Sequence, residues 1–174
     1  MKISQWNAAL AVMAYVFVGG VATADPVDPT VASSEDGKYF DKDGNPTFHV
    51  QLQNATVDWY TFSGFRRYHS DCHVCHGPNG DGSSYAPALV NSLKTLSYGD
   101  FINVVTNGRK HVDTANDKVM PSFAANANVM CYIDDIYVYL RARADNAIPG
   151  GRPPNHEDKP AAAKAAENTC MGGQ

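Results

Sequence analysis

Apolar residues recur at helical spacing in three stretches of the chain, and the first runs from Trp59 to Ser70. Asp58 or Thr61 can cap the start of this helix. Its predicted buried residues, spaced every three positions, are Phe62, Phe65 and Tyr68. Gly64 would weaken a helix on propensity alone, so its presence indicates that another backbone packs closely against this helix.

The second and third helical stretches have recognisable ends. Ser97 and Asp100 have the spacing of a capping box, apolar residues follow them at helical spacing, and Gly108 is a typical C-terminal stop. The third helix can be capped by Asn128 or Asn126, and arginines near its end suit the negative end of the helix dipole. Its predicted buried stripe is Met130, Ile133, Ile136 or Tyr137, and Leu140.

The remaining segments lack this spacing. Residues 25–37 are rich in proline, serine and acid, which predicts a flexible lead-in. Short apolar runs flank residues 43–46, a pattern typical of a hairpin or a simple turn. Residues 109–125 have no periodicity and predict an irregular strap. The tail, residues 146–174, begins with glycines and prolines, and its alanines at 161–166 allow a short helical turn or two.

Length and composition fit one domain with extensions. The chain has 174 residues, 44% of them hydrophobic, which is enough to bury a core. An apolar run from Ala8 to Val18 is followed by the small-x-small pattern of a signal-peptidase site at 22–24, and it is too short for a comfortable membrane span. We expect cleavage after Ala24, export, and no stable membrane insertion. The predicted divisions are a signal peptide (1–24), an N-terminal extension (25–58), a core domain (59–145) and a C-terminal tail (146–174).

The charge distribution argues against one class of partner. The net charge is −4, and the acidic side chains are concentrated in residues 25–59, whereas the middle of the chain is nearly balanced. A nucleic-acid-binding protein would need a basic surface. Nucleic acid is therefore not an expected partner.

The strongest chemical motif is Cys72-His73-Val-Cys75-His76, a C-x-x-C-H run. Two thiols on one helical turn can form thioether bonds to the vinyl groups of a porphyrin, and the histidine after them can bind its iron. A thioredoxin-like pair would need a βαβ setting and a zinc site would need another Cys or His pair, and neither context is present. The motif predicts one covalent haem c held by Cys72, Cys75 and His76, with His73 projecting outward.

Covalent haem in an exported protein indicates the periplasm of a Gram-negative bacterium, an oxidising compartment in which spare cysteines pair. With Cys72 and Cys75 bound to haem, we predict a disulfide between Cys131 and Cys170. Cys131 lies off the predicted buried stripe of its helix, where a returning tail could reach it. The alternative is that Cys170 lies in a disordered tail and pairs between molecules.

The order of these motifs resembles a class I cytochrome c over residues 59–143. The shared features are Gly64 and Tyr68 on the first helix, C-x-x-C-H-G, Ala86-Pro87-x-Leu89, Asn107-Gly108-Arg109, Met120-Pro121 and a last helix with Tyr139-Leu140. The resemblance implies an all-α fold with its helices around one haem, here with an N-terminal extension or hairpin and a disulfide-tethered C-terminal tail. It also implies that Gly64 and Tyr68 meet the last helix near Ile136 and Tyr139.

The same resemblance implies two further roles at the iron. Pro87 would accept a hydrogen bond at its carbonyl oxygen from Nδ1 of His76, which fixes the tautomer and orientation of the ring. Met120 would be the distal iron ligand, because the next residue is a proline that restricts its backbone and a thioether raises the reduction potential. Three rivals to Met120 are His111 in the same strap, His69 on the first helix, and Met130 in an apolar stripe where core packing is the default role.

A narrower resemblance is to the four-cysteine periplasmic cytochromes associated with methanol metabolism, including XoxG-like electron acceptors of lanthanide-dependent, PQQ-containing alcohol dehydrogenases. It rests on residues 64–78, 91–94, 120–123 and 128–132. It implies a carrier that accepts electrons from a PQQ-dependent methanol or alcohol dehydrogenase and passes them toward a downstream cytochrome or terminal oxidase. Candidate basic contacts for such partners are Arg66, Arg67, Lys94, Arg109, Lys110 and Lys118.

Two other function classes remain open from the sequence. A peroxidase-like haem enzyme would need an open iron position with acid–base residues beside it, and His111 is the nearby candidate. A haem-based ligand sensor would need a displaceable distal ligand and usually an output domain, for which the mature chain has no room. An electron carrier needs neither a substrate site nor an output domain, so we expect a protein that is not an enzyme.

Overall fold

The computed structural model describes residues 31–113 and 116–172, apart from the side chains of residues 111–118. The predicted signal peptide and the first part of the lead-in lie outside the described residues. The helices are α1 (Trp59–Asp71), α2 (His73–His76), α3 (Leu89–Ser92), α4 (Tyr98–Asn107), α5 (Ala127–Met130), α6 (Ile133–Ala144) and α7 (Ala161–Met171). The strands are β1 (Ser33–Glu35), β2 (Lys38–Phe40), β3 (Pro46–Thr47), β4 (Val50–Gln51), β5 (Thr56–Val57), β6 (Arg109–Asp113), β7 (Asn116–Met120) and β8 (Asn155–His156).

Helices α1 and α6 cross at the centre of the core. A Cβ on Gly64 would lie 1.8 Å from the carbonyl oxygen of Asp135 and 2.8 Å from the Cβ of Tyr139. Only glycine allows two backbones to approach this closely. The rings of Tyr68 and Tyr139, both 0% exposed, lie beside the crossing with their centroids 5.5 Å apart. The implied contact of Gly64 and Tyr68 with the last helix is confirmed.

The helix ends follow local capping chemistry. Asp58 caps α1 by accepting a hydrogen bond from the backbone N–H of Thr61 at 2.8 Å. Ser97 caps α4, and Gly108 follows its last residue. Both helices begin and end close to where the sequence predicts. The third predicted helix is divided, because Asn126 caps the short helix α5 and a break of two residues separates α5 from α6.

The short strands form hairpins on the surface of the helical core. The hairpin predicted around residues 43–46 is confirmed as the antiparallel pair β2–β3, and β1 pairs with the other edge of β2. The prediction of an irregular strap is wrong for residues 109–113 and 116–120, since β6 and β7 pair antiparallel with Arg109 opposite Met120. Polar residues stand at both odd and even positions of these two segments in the sequence, so there is no alternating hydrophobic pattern that would predict strands.

The C-terminal tail returns across the outer face of α1. Strand β8 pairs in parallel with β5, and the ring of His156 stacks on that of Phe62 with the centroids 3.7 Å apart. Cys131, between α5 and α6, forms a disulfide with Cys170 on α7, which confirms the predicted intramolecular pairing. Helix α7 has 11 residues and is longer than the predicted turn or two.

One hydrophobic cluster joins α1, α4, α5 and α6. Its most deeply buried large side chains are Tyr68, Tyr139, Leu93 and Leu140. The described residues therefore form a helical core with short strands on its surface. Within residues 31–113 and 116–172, no helix combines the length and apolar character needed to cross a membrane.

Candidate haem-binding site

The C-x-x-C-H motif continues the helical path of α1 into α2. The backbone N–H of Cys72 donates to the carbonyl oxygen of Tyr68 at 2.9 Å, and the backbone N–H of His76 donates to the carbonyl oxygen of Cys72 at 3.0 Å. Cys72 is half-buried and Cys75 is exposed, whereas His76 is only 8% exposed. Burial of the residues thus increases from Cys75 through Cys72 to His76, as expected for tethers at the edge of a cofactor and a ligand beneath it.

The imidazole of His76 is oriented by a hydrogen bond to Pro87. Its Nδ1 lies 2.9 Å from the carbonyl oxygen of Pro87. A carbonyl oxygen can only accept, so Nδ1 carries the proton and Nε2 keeps a free lone pair. This tautomer suits metal binding through Nε2, and the hydrogen bond makes the ring a more basic ligand. The contact that the family resemblance implied for Pro87 is present.

Two glycines let the loop after His76 fold back so that Pro87 reaches the ring. Gly77 and Gly82 have φ angles of +78° and +86°, in the region that favours glycine. A Cβ on Gly77 would lie 2.7 Å from the carbonyl oxygen of Gly82, and a Cβ on Gly82 would lie 2.7 Å from the backbone nitrogen of Ala88. The N–H of Gly82 donates to the carbonyl oxygen of His76 at 2.8 Å, which closes the loop.

A largely apolar pocket lies beside His76. Its lining residues are Cys72, His76, Leu89, Leu93, Leu96, Phe101, Val104, Val105, Met120, Phe123, Val129, Ile136 and Leu140. Burial, with smaller contributions from Asp71 and Cys75, raises the pKa of the Cys72 thiol to about 12, so that thiol is uncharged at neutral pH. A large apolar cofactor that forms thioether bonds and has an iron centre fits this set of apolar walls and N and S donors.

Met120 is fixed at the end of α4 by contacts on both sides. A Cβ on Gly108 would lie 2.5 Å from the carbonyl oxygen of Met120, so glycine, here with φ of +74°, allows the close approach. After Met120, the Ser122 hydroxyl donates to the carbonyl oxygen of Thr106 at 2.5 Å. The backbone N–H of Phe123 donates to the carbonyl oxygen of Val105 at 3.1 Å. The segment that contains Met120 is therefore attached to the helix that forms one wall of the pocket.

The rival ligands lie elsewhere or outside the described side chains. His69 is half-buried, and its Nδ1 donates to the carbonyl oxygen of Phe65 at 2.8 Å. Its ring packs among those of Phe65, Tyr68 and Tyr139, and it is not part of the pocket lining. Met130 is also absent from that lining. His111 pairs with Lys118 in the β6–β7 hairpin, but its side chain lies outside the described residues.

Sequence reasoning missed one wall of the pocket. Helix α3 has only four residues, and it begins the segment that supplies Leu89, Leu93 and Leu96 to the lining. The spacing of these leucines, four and then three residues apart, is the helical signal that could have revealed the wall. The segment is too short to give a persistent hydrophobic pattern.

The chain is similar to several known cytochromes. Residues 62–140 match the family described as cytochrome c oxidase, cbb3-type, subunit III. The chain is 42% identical over 99 residues to cytochrome c-555 of Methylococcus capsulatus, covering 56% of this chain and 74% of that protein. The crystal structure of the c-type cytochrome XoxG from Methylobacterium extorquens AM1 matches with a TM-score of 0.75 and 56% identity, covering 81% of this chain and 86% of that chain. The protein belongs to the c-type cytochromes.

A longer relative of this cytochrome is cytochrome c-553I of Paracoccus denitrificans. The two are 49% identical over 146 residues, or 84% of this chain and 64% of the relative, so the chain spans less than two thirds of that protein. All three relatives are cytochromes and not enzymes, as the sequence predicts for this chain. The resemblance to class I cytochromes c, including XoxG, is confirmed.

As a cytochrome with a single C-x-x-C-H motif, the protein has one covalently bound haem c as its cofactor. When bound, the haem supplies an iron centre that gains or loses one electron. The protein's own residues determine how that centre is held, how far it is shielded from water and which partners can approach it. The described pocket would supply shielding through the leucine, valine and phenylalanine side chains of its walls.

Proposed function

We propose that this cytochrome is a periplasmic single-electron carrier. It accepts electrons from a PQQ-dependent methanol or alcohol dehydrogenase of the lanthanide-dependent kind and passes them to a downstream cytochrome or terminal oxidase. The 56% identity to XoxG supports this donor, because the sequence resemblance to XoxG-like cytochromes is what implied it. The signal-peptidase pattern that ends at Ala24 supports the periplasmic location.

The observation that carries the proposal is that His76 and Met120 line one apolar pocket. Cys72 and Cys75 are the tethers, His76 is the proximal ligand through Nε2, and Met120 is the distal ligand. With both axial positions taken by protein side chains, no iron position remains for a substrate. A site that keeps the same two ligands in both oxidation states changes little in geometry, which favours rapid electron transfer.

An exposed, mostly uncharged surface next to the motif is the proposed docking site for the donor. Val74 and Tyr85 are 73% and 76% exposed. The hydroxyl of Ser83 donates to the carbonyl oxygen of Cys75 at 2.5 Å and accepts from the N–H of Tyr85 at 3.0 Å, which holds Tyr85 near the motif. We call Val74, Cys75, Ser83 and Tyr85 the motif face. Exposed aromatic residues of this kind often anchor protein interfaces.

The basic residues predicted as contacts have different roles in the structure. The guanidinium of Arg67 lies 3.6 Å from the centre of the Tyr132 ring and pairs with Glu167 at 3.7 Å, so Arg67 supports the tail. The side chain of Lys118 lies outside the described residues. Of the six predicted contacts, the four whose side chains are described as exposed are Arg66, Lys94, Arg109 and Lys110. We expect these four to affect the association rate through ionic-strength-dependent steering.

The proposed donor can be tested by stopped-flow reduction of the oxidised cytochrome. Purified PQQ dehydrogenase should reduce it only when the alcohol substrate is present. Tyr85→Ser should slow this reduction about tenfold. This factor corresponds to a loss of roughly 1.4 kcal/mol of binding free energy when an interface anchor is truncated. Its reduction potential should not change, because Tyr85 contacts neither axial ligand in the proposal.

Leu52→Ser is the matched control for Tyr85→Ser. Leu52 is 65% exposed but lies in the turn between β4 and β5, so its loss should not affect the rate. No alcohol-dependent reduction of the wild type would contradict the proposed donor. A wild-type rate in Tyr85→Ser, with normal reduction of the wild type, would contradict only the docking site.

A further inference from the structure

Arg143, at the end of α6, binds two other parts of the chain, the loop that contains Asn79 and Asp81 and the segment after α6. Its Nε donates to the carbonyl oxygen of Asn79 at 3.3 Å, and its Nη1 donates to the carbonyl oxygen of Ile148 at 2.8 Å. Its Nη2 lies 3.7 Å from the carboxylate of Asp81. The side chain is only 11% exposed. The planar, five-donor guanidinium can make these contacts together, whereas a lysine ammonium cannot reproduce the same geometry.

The C-terminal tail holds Asn79 from a second direction. The N–H of Gly151 donates to the side-chain oxygen of Asn79 at 2.8 Å. A Cβ on Gly150 would lie 3.0 Å from that side chain, so the tail packs closely against Asn79. Asn79 is thus fixed through its backbone by α6 and through its side chain by the tail. We call Arg143, Asn79, Gly150 and Gly151 the Asn79 clamp.

The loop fixed by the clamp packs against the segment that contains Pro87. The carbonyl oxygen of Gly80 accepts a hydrogen bond from the N–H of Val90 at 3.1 Å. A Cβ on Gly82 would lie 3.1 Å from the carbonyl carbon of Pro87. Pro87 in turn accepts the hydrogen bond from Nδ1 of His76. A continuous series of contacts therefore connects the clamp with the imidazole.

We propose that the Asn79 clamp is a positioning device that maintains the hydrogen bond between His76 and Pro87 and thereby lowers the reduction potential. The proposal rests on the function proposed above, in which His76 is the proximal ligand. A firm hydrogen bond to Pro87 makes the imidazole more basic, which stabilises the oxidised iron, so loosening the bond raises the potential. The positive charge of Arg143 acts in the opposite sense, since its removal would favour the oxidised, more positive state.

Two variants separate positioning from charge. Asn79→Ala removes the side-chain contact to Gly151 without changing the charge, and Arg143→Lys keeps the charge but loses the guanidinium geometry. Both should raise the reduction potential of the holoprotein. In both variants, the Nδ1 proton of His76 should exchange with solvent about tenfold faster in the reduced state. This factor corresponds to a decrease of roughly 1.4 kcal/mol in the free energy needed to open the hydrogen bond. Exchange is followed by NMR, and denaturant unfolding identifies any change in global opening.

Two more variants provide a control and a replacement. Arg141→Lys changes an arginine on the same helix that donates to Leu93 and Asp145, and it should leave the Nδ1 exchange rate unchanged. Gly150→Ala introduces a methyl group beside Asn79 on the side of the tail. This variant is measured in place of Arg143→Lys if Arg143→Lys does not fold. It should also accelerate exchange.

The outcomes distinguish failure of this inference from failure of the proposed function. Wild-type exchange rates and potentials in Asn79→Ala and in Arg143→Lys or its replacement would overturn the positioning role of the clamp. Faster exchange that merely follows a loss of global stability would also overturn it. Absence of iron-shifted ring resonances of His76 from the wild-type spectrum would contradict the ligand assignment, and with it the proposed function.

Discussion

The backbone carbonyl of Asp135 occupies the space that a side chain on Gly64 would need. A Cβ on Gly64 would lie 1.8 Å from that oxygen. This contact fixes how closely α1 and α6 approach each other. Since α1 leads into the C-x-x-C-H motif and α6 supplies Ile136 and Leu140 to the pocket, the crossing also places the motif relative to one wall of the pocket.

Gly64→Ala should be strongly destabilising. The added methyl group must displace a backbone carbonyl, so we expect the free energy of unfolding to fall by about 3 kcal/mol, the upper part of the usual overpacking range. Urea unfolding of the holoprotein measures it. Gly99→Ala is the control, because Gly99 is exposed in α4 with nothing within 4 Å of its Cβ position. It should be neutral or stabilising by up to about 1 kcal/mol. Equal stabilities of the two variants would contradict this explanation.

Asp135 should make stability depend on pH. Burial raises the pKa of its carboxyl group from 3.8 to about 7; Ser63 and Lys38 oppose the increase, and Asp134 and Asp58 add to it. The folded state therefore binds this proton more tightly than the unfolded state. The resulting stabilisation is fully present below pH 3.8 and is lost as the pH rises through about 7.

Asp135→Asn tests this dependence because the amide cannot ionise. Urea midpoints measured between about pH 4.5 and 8 should fall less steeply with rising pH in the variant than in the wild type. Some dependence should remain, because burial also raises the pKa of Asp58, to about 6. Identical pH profiles for the variant and the wild type would show that Asp135 does not titrate in this range.

The Cys131–Cys170 disulfide should stabilise the fold by tethering α7. The two cysteines are 39 residues apart, and a loop of that length corresponds to about 4 kcal/mol of lost chain entropy in the unfolded state. The double variant Cys131→Ser with Cys170→Ser should lose up to this amount in urea unfolding. Thiol titration of the denatured, unreduced holoprotein should find no free thiol, and two per chain would rule the disulfide out.

Local chemistry made much of the fold predictable. The capping side chains of Asp58 and Ser97 act within three residues of the helix starts, so the starts of α1 and α4 can be read from short sequence patterns. The C-x-x-C-H motif is equally local. The Cys131–Cys170 pair could be inferred without any long-range information, because two of the four cysteines were assigned to haem.

Long-range contacts were not predictable in the same way. Arg143 and Asn79 are 64 positions apart, and Gly151 and Asn79 are 72 apart, and no periodic pattern connects them. The β6–β7 hairpin was missed for a different reason. Its strands are paired through the backbone, while its sequence carries polar residues at both odd and even positions, so the hydrophobic alternation that normally indicates a strand is absent.

Met120→Ala should remove the distal ligand and leave the fold intact. Its loss should abolish the sulfur-to-iron charge-transfer band of the oxidised protein. It should also lower the reduction potential by a fraction of the roughly 0.8 V that axial ligands span. His111→Ala and Met130→Ala test the rival ligands, and both should retain the band. Survival of the band in Met120→Ala would contradict the assignment of Met120.

Carbon monoxide binding to the reduced protein is the most direct test of the central claim that His76 and Met120 occupy both axial positions of a carrier. Reduced wild-type protein should bind carbon monoxide poorly, because the proposal places Met120 at the distal position of the iron. Reduced Met120→Ala should bind about one molecule per haem, because the position is open. Ready binding by the wild type would show that the distal position is accessible, which contradicts a pure electron carrier.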